Sequence, residues 1–189
     1  MKPDIILASQ SPRRKQLLEM ADISFRVKVS NTDESFPKEL PLEKVPEYIA
    51  EQKAIAVQVT DPAQVIIAAD TVVLLNNEIL GKPTNPQEAS LMLGKLSGNI
   101  HTVITGCCIL FHGKKWNFSE KTEVEFHPLT SDQICHYVHH YKPFDKAGAY
   151  AIQEWIGVTG IKGIRGDFYN VMGLPVSRVL QILRKENLL

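Results

Sequence analysis

Three observations predict a mixed α/β fold. Short apolar runs, Ile5–Ala8 and Val65–Ala69, have the length and composition of buried strands. Between them lie segments with apolar residues at helical spacing, several opened by an N-terminal cap signal. Tight-turn signals at Asn76-Asn77 and around Gly113 fold strands into hairpins, so the sheet is expected to be mixed rather than purely parallel.

The elements follow in order. After the first strand, Ser11 caps a helix whose first position is Pro12, and Leu17, Leu18 and Ala21 recur at helical spacing. Phe25–Val29 alternates and reads as a half-buried strand, and Ser30–Pro41 as a polar, proline-punctuated loop holding Asp33 and Glu34. A helix begins near Pro46 with Ile49, Ala50, Ala54 and Val57 as its apolar stripe. The strand Val65–Ala69 is interrupted by Asp70-Thr71 and resumes over Val72–Leu75, turning back at Asn76-Asn77 towards Ile79-Leu80. Asn85-Pro86-Gln87-Glu88 opens a helix that reaches Leu96 and stops at Ser97-Gly98. Val103–Phe111 and Lys121–Phe126 form a hairpin around Gly113, Ser131-Asp132 starts a helix to His140, and Trp155–Arg165 reads as one or two strands. A last helix covers Pro175–Lys185 with Val176, Val179, Leu180 and Leu183 facing inward.

Composition narrows the function classes. A chain of 189 residues fits one domain, or one domain with two lobes, and 44% apolar with 22% charged residues is ordinary for a globular protein. Basic and acidic residues balance at 21 each, so no global field recruits nucleic acid, and anion binding must come from a local cluster. No apolar run approaches the roughly 20 residues that span a bilayer, and the first residues lack a leader pattern. Three cysteines, with Cys107 and Cys108 adjacent, suit reduced thiols in a cytoplasmic setting.

Several residues stand out chemically. Ser9, Ser11, Arg13 and Arg14 gather where a strand becomes a helix N-terminus, and that suits phosphate; arginines in a first helical turn also commonly face solvent. Asp70 interrupts an apolar strand, where a carboxylate is costly without a cation or hydrogen bonds, unless a bulge releases it to water. Lys53 lies on the apolar stripe of its helix, as a site residue or a snorkelling one. Lys82, held extended before Pro83, also fits an ordinary turn lysine. Glu34 is a loop carboxylate that could share a divalent cation with Asp70 if the loop folds over it. Asp145–Gln153 is rich in small residues and ends in a glutamine suited to a base edge; a tight corner explains it equally. Cys135, His136, His139 and His140 share one helix, but the pattern lacks a zinc-protease glutamate and a distant ligand pair, and a polar helix face accounts for it.

Taken together, Ser9–Arg14, the Glu34 loop, Lys53-Ala54, Ala69-Asp70-Thr71, Gly81-Lys82-Pro83, Asp145–Gln153 and Gly166–Pro175 resemble, in order, the Maf family of nucleoside triphosphate pyrophosphatases. The resemblance implies an elongated mixed β-sheet flanked by helices, with two lobes around a central cleft, as in inosine triphosphate pyrophosphatases, over a single domain of residues 1–189. It implies a divalent cation (Mg²⁺ or Mn²⁺), a homodimer, and cleavage of a nucleoside triphosphate to monophosphate and pyrophosphate. Arg13, Thr71 and Gln153 match the branch that prefers dTTP and UTP; Glu154 departs from it, standing where many relatives have glycine. On this resemblance Asp70, Lys53 and Lys82 are catalytic, Ser9, Arg13, Arg14, Thr71 and Gln153 bind substrate, and Glu34 and Asp70 hold the metal. The expected partner is the nucleotide, without nucleic acid or membrane. Alternatives are a pyrophosphatase for CTP, a modified UTP or 7-methyl-GTP, and a non-catalytic nucleotide-binding regulator of cell division.

Overall fold

A computed structural model describes residues 3–29, 32–58 and 64–189; positions 30 and 31 of the expected polar loop lie outside them. Its elements are β1 (Ile5–Leu7), α1 (Pro12–Met20), β2 (Arg26–Val27), α2 (Val45–Gln58), β3 (Val65–Leu75), β4 (Glu78–Leu80) and α3 (Pro86–Leu96), continuing with β5 (Ile100–Phe111), β6 (Lys114–Phe126), α4 (Ser131–Tyr141), α5 (Trp155–Gly160), β7 (Ile161–Arg165), α6 (Phe168–Met172) and α7 (Val176–Lys185). The seven strands form one mixed sheet in the order β2-β1-β3-β5-β6-β7, with β4 paired to β3. β1 runs parallel to β2 and β3, whereas β4 pairs with β3, and β7 with β6, antiparallel. A mixed α/β fold is therefore present, as the sequence predicts.

Local chemistry explains most element boundaries. Ser11 caps α1 and Asn85 caps α3, each followed by proline at the start of the helix. Asn76 and Asn77 both take positive φ, the twist that closes the two-residue β3–β4 hairpin. α4 is capped by Thr130, one residue before the expected Ser131, through a reciprocal box with Gln133.

Three expectations are corrected. β3 runs uninterrupted through Asp70-Thr71, so no bulge releases the carboxylate. The alternation of Phe25–Val29 yields only two strand residues, Arg26 and Val27, both exposed, on an edge strand with a single neighbour. Trp155–Gly160 is helical, and only Ile161–Arg165 is strand. Two glycines of the helical stretch are close-approach positions: a Cβ on Gly157 would sit 1.7 Å from the Ile152 carbonyl oxygen, and one on Gly160 would sit 3.0 Å from the Leu129 side chain.

The chain divides into two compact units, Met1–Asp70 with Thr105–Glu120 and Gly173–Leu189, and Thr71–Ile104 with Lys121–Met172. In the first, the small face of α2 (Ala50, Ala54, Val57) packs on Ile6, Ala8, Ile66, Ala68, Cys108 and Leu110. Small side chains let the helix lie close to the sheet. The closest point is Gly106 on β5, where a Cβ would fall 2.1 Å from the backbone nitrogen of Glu47. Glu47 accepts from Ser119 Oγ, and Glu51 accepts from Lys115 and Asn117, so β6 also ties α2 in place. Cys107 and Cys108 are buried strand residues whose thiols desolvation pushes up to about 12, so they stay protonated and unreactive.

In the second unit α3 packs on α4, and Leu93, Leu96, Phe126 and Tyr137 are fully buried. His101 is 2% exposed, packs against the rings of Phe126 and Tyr150, and shares a 2.7 Å hydrogen bond with the Tyr150 hydroxyl. Burial lowers the His101 pKa from 6.5 to about 4, so the folded state resists a proton that the unfolded chain takes up below about 6.5. Its stabilising effect is complete above pH 6.5 and is lost as pH falls towards 4, by about 3 kcal/mol in all. Urea unfolding at pH 7 and pH 4.5 should show a smaller acid loss in His101→Gln than in the parent; equal losses would remove His101 as the cause. No helix among the described residues is long and apolar enough to cross a membrane.

Candidate active site

Strand alternation builds the centre of the first unit. Ile66, Ala68 and Asp70 share one face of β3, the face on which α2 lies. Lys53 is three residues after Ala50 and four before Val57, so its stem follows the buried face of α2. The ammonium reaches Asp70 Oδ1 at 2.7 Å and Glu34 Oε1 at 2.7 Å. Lys53 and Asp70 each retain 14% side-chain exposure, against 50% for Glu34, so the first pair is largely dehydrated and the second opens to water. The intrusive strand carboxylate and the lysine on the apolar stripe are thus partners.

Arg14 supplies a second fixed cation. Its guanidinium is buried, with Nε donating to the Gly173 carbonyl at 2.7 Å and Nη1 donating to Ser9 Oγ at 3.1 Å. Desolvation lowers its pKa, opposed first by the charge of Asp70, and arginine stays protonated regardless. Ser9 Oγ also accepts the backbone N–H of Ser11 at 3.1 Å, closing the turn that leads β1 into α1. Arg13, the next residue back along α1, is half-buried.

Thr71, Lys82 and Gln153 belong to the second unit. Thr71 is half-buried on β3, and Lys82 is exposed just after β4, before the buried Pro83. The following residue is anchored: the Thr84 N–H and hydroxyl both donate to Glu88 at 2.7 Å, bonds that hold the Glu88 carboxyl below its usual range. Gln153 is exposed at the end of a segment whose Gly148 N–H donates to the Gly81 carbonyl at 3.0 Å. The segments carrying Lys82 and Gln153 therefore meet.

The helical histidines have another use for their atoms: His140 Nδ1 lies 2.8 Å from the His136 carbonyl oxygen, and the His136 ring packs on Trp155. Among the described residues no group of three or more His, Cys, Asp or Glu side chains is placed to hold a metal. A hard divalent cation asks less, one or two carboxylates completed by water and phosphate, and the two carboxylates that converge on Lys53 meet that requirement.

The model of one family, described as Maf-like protein, matches residues 4–186. The chain belongs to the Maf family. A relative from Cytophaga hutchinsonii is 52% identical over 182 residues, covering 96% of this chain and 84% of that protein, and bears the name dTTP/UTP pyrophosphatase. Proteins of the same name from Phocaeicola vulgatus and Bacillus velezensis are 49% and 45% identical, covering 97% and 100% of this chain and 96% and 99% of theirs. A solved nucleoside-triphosphatase (dITP/XTP pyrophosphatase) from Mycobacterium abscessus aligns at TM-score 0.44 with 13% identity, over 67% of this chain and 75% of that one, a likeness too loose to bear on function.

In this Maf chain one contributor has no role in the sequence reading. Gly173 sits at φ 118°, a backbone region that a side chain opposes, and there its carbonyl meets Arg14. Its signal is the glycine between two apolar residues, Met172 and Leu174, at the end of the Gly166–Pro175 motif.

Proposed function

We propose that this chain hydrolyses nucleoside triphosphates to the monophosphate and pyrophosphate, with dTTP and UTP preferred. The observation that carries the reading is the pair Glu34 and Asp70, each 2.7 Å from the Lys53 ammonium, in the unit that also holds buried Arg14. Phosphate binding alone calls for cations. Two carboxylates beside a triphosphate repel it unless they share a cation with it or handle a reacting water. Relatives at 45–52% identity that bear the name dTTP/UTP pyrophosphatase support the substrate class.

Glu34 and Asp70 would hold Mg²⁺ or Mn²⁺, whose charge would polarise the phosphoryl oxygens of the substrate. Asp70 orients the attacking water and accepts its proton. The water oxygen bonds to the α-phosphorus as the bond to the bridging oxygen breaks, and pyrophosphate departs with that oxygen. Lys53, Lys82 and Arg14 take up the charge that moves onto the leaving group. Ser9 and Gly173 hold Arg14 in one orientation before substrate arrives, so little reorganisation is left to the reaction. Arg13, Thr71 and Gln153 read the pyrimidine. A glutamine amide matches the donor and acceptor on a uracil or thymine edge, and a base that leaves those groups unpaired is rejected. One catalytic domain with two lobes spans the chain, acting as a homodimer in the cytoplasm.

Pyrophosphate release from dTTP, UTP, CTP, GTP, ATP and 7-methyl-GTP, each with Mg²⁺ or EDTA, tests the proposal. Metal-dependent release favouring dTTP and UTP is expected. Release favouring another base would discard the specificity assignment, and no release with either Mg²⁺ or Mn²⁺ would point to a nucleotide-binding regulator.

A further inference from the structure

Beneath Gln153 lies a network that neither the cap nor the core of its segment requires. Glu154 occupies the N-cap position of α5, yet its side chain makes no capping bond there. Its carboxylate instead accepts from the Tyr137 hydroxyl and lies 3.3 Å from the Lys146 ammonium. The same hydroxyl accepts the backbone N–H of Ala151 at 3.2 Å. Tyr137 is fully buried on α4, and Lys146, with 9% side-chain exposure, is also bonded to Asp145 at 2.8 Å. Residues on both sides of Gln153, Ala151 and Glu154, are thereby fastened to one hydroxyl group. At the other end of the segment Gly148 is pressed against β3: a Cβ there would lie 3.0 Å from the Val73 side chain.

Burying a lysine–carboxylate pair contributes little net stability, because desolvation offsets the attraction, but it does hold geometry. The exposed glutamine it flanks has an amide whose discrimination depends on where it is held. We propose that Tyr137, Glu154 and Lys146 are positioning residues for substrate selection, bracing the backbone that presents Gln153 to the base. This inference rests on the reading that Gln153 contacts the pyrimidine.

The test compares kcat/KM for dTTP with that for dCTP in the full-length protein, alongside thermal unfolding. Tyr137→Phe removes only the hydroxyl, and Glu154→Ala removes the carboxylate. Each is expected to lower the dTTP preference about tenfold, mainly through a higher KM for dTTP, since small displacements of a positioning group are amplified at the substrate. Glu154→Gln keeps an acceptor for Tyr137 and should retain most of the preference. Gln153→Glu is measured in parallel. If it erodes the preference while Tyr137→Phe and Glu154→Ala keep the parent ratio, with or without a lower melting temperature, the brace is structural only and the inference is overturned. If Gln153→Glu leaves the ratio unchanged, the base-reading role fails first and the inference falls with it. Should Glu154→Ala not fold, Tyr137→Phe decides, read also by the relative affinity for dTMP and dCMP.

Discussion

Asp70→Asn should retain the fold and lose about a thousandfold or more in turnover, the range set by removing a group that handles the attacking water. Asparagine has nearly the same shape, and Lys53 keeps its 2.7 Å contact with Glu34. Arg14, although it loses the nearby charge of Asp70, keeps its hydrogen bonds to Gly173 and Ser9, so no buried charge is left without a partner. What disappears is the carboxylate at the point where α2 meets β3. In the proposed mechanism its loss removes both an acceptor for the water proton and a hard ligand for the cation. Circular dichroism and urea unfolding should therefore match the parent, while pyrophosphate release under saturating Mg²⁺ falls to near background. Turnover within tenfold of the parent would return Asp70 to the status of a structural ion-pair partner.

Gly106→Ala should be strongly destabilising. The added carbon would sit 2.1 Å from the Glu47 nitrogen and 2.3 Å from the Pro46 carbonyl carbon, both backbone atoms at the start of α2. Nothing at that point is a flexible side-chain end, so the helix itself has to move. Overpacking of this kind costs about 3 kcal/mol or more. The displaced helix is the one that carries Lys53 to Asp70, so catalysis should fall along with stability. Urea unfolding and dTTP turnover check both consequences. Parent-like stability would mean that α2 is not seated on β5 at Gly106.

These two residues also show what was legible in the chain. Asp70 and Lys53 each announced themselves by being out of place, one in an apolar strand and one on an apolar helical stripe. Their pairing could not be read from spacing, because it depends on which face of the sheet α2 covers. Caps behave differently: Ser11-Pro12 and Asn85–Glu88 are local devices, and they act where the sequence puts them. Gly106 and Gly173 are the opposite case. Their meaning lies in a backbone or side chain that approaches from elsewhere, and a sequence shows the glycine without the visitor. The Gly173 carbonyl that holds Arg14, supplied from the far end of the chain, is such a case. The alternation at Phe25–Val29 misled for a related reason: periodicity reports which residues share a face, not whether anything covers it.

The most direct test is to hydrolyse dTTP in ¹⁸O-water with Mg²⁺ and locate the label by mass spectrometry. Attack of the Asp70-held water on the α-phosphorus puts ¹⁸O in dTMP and leaves pyrophosphate unlabelled, and that is the expected result. Label in pyrophosphate, or release of dTDP with phosphate, would mean that another phosphorus is attacked and would contradict the arrangement of roles proposed for Asp70, Glu34, Lys53 and Arg14.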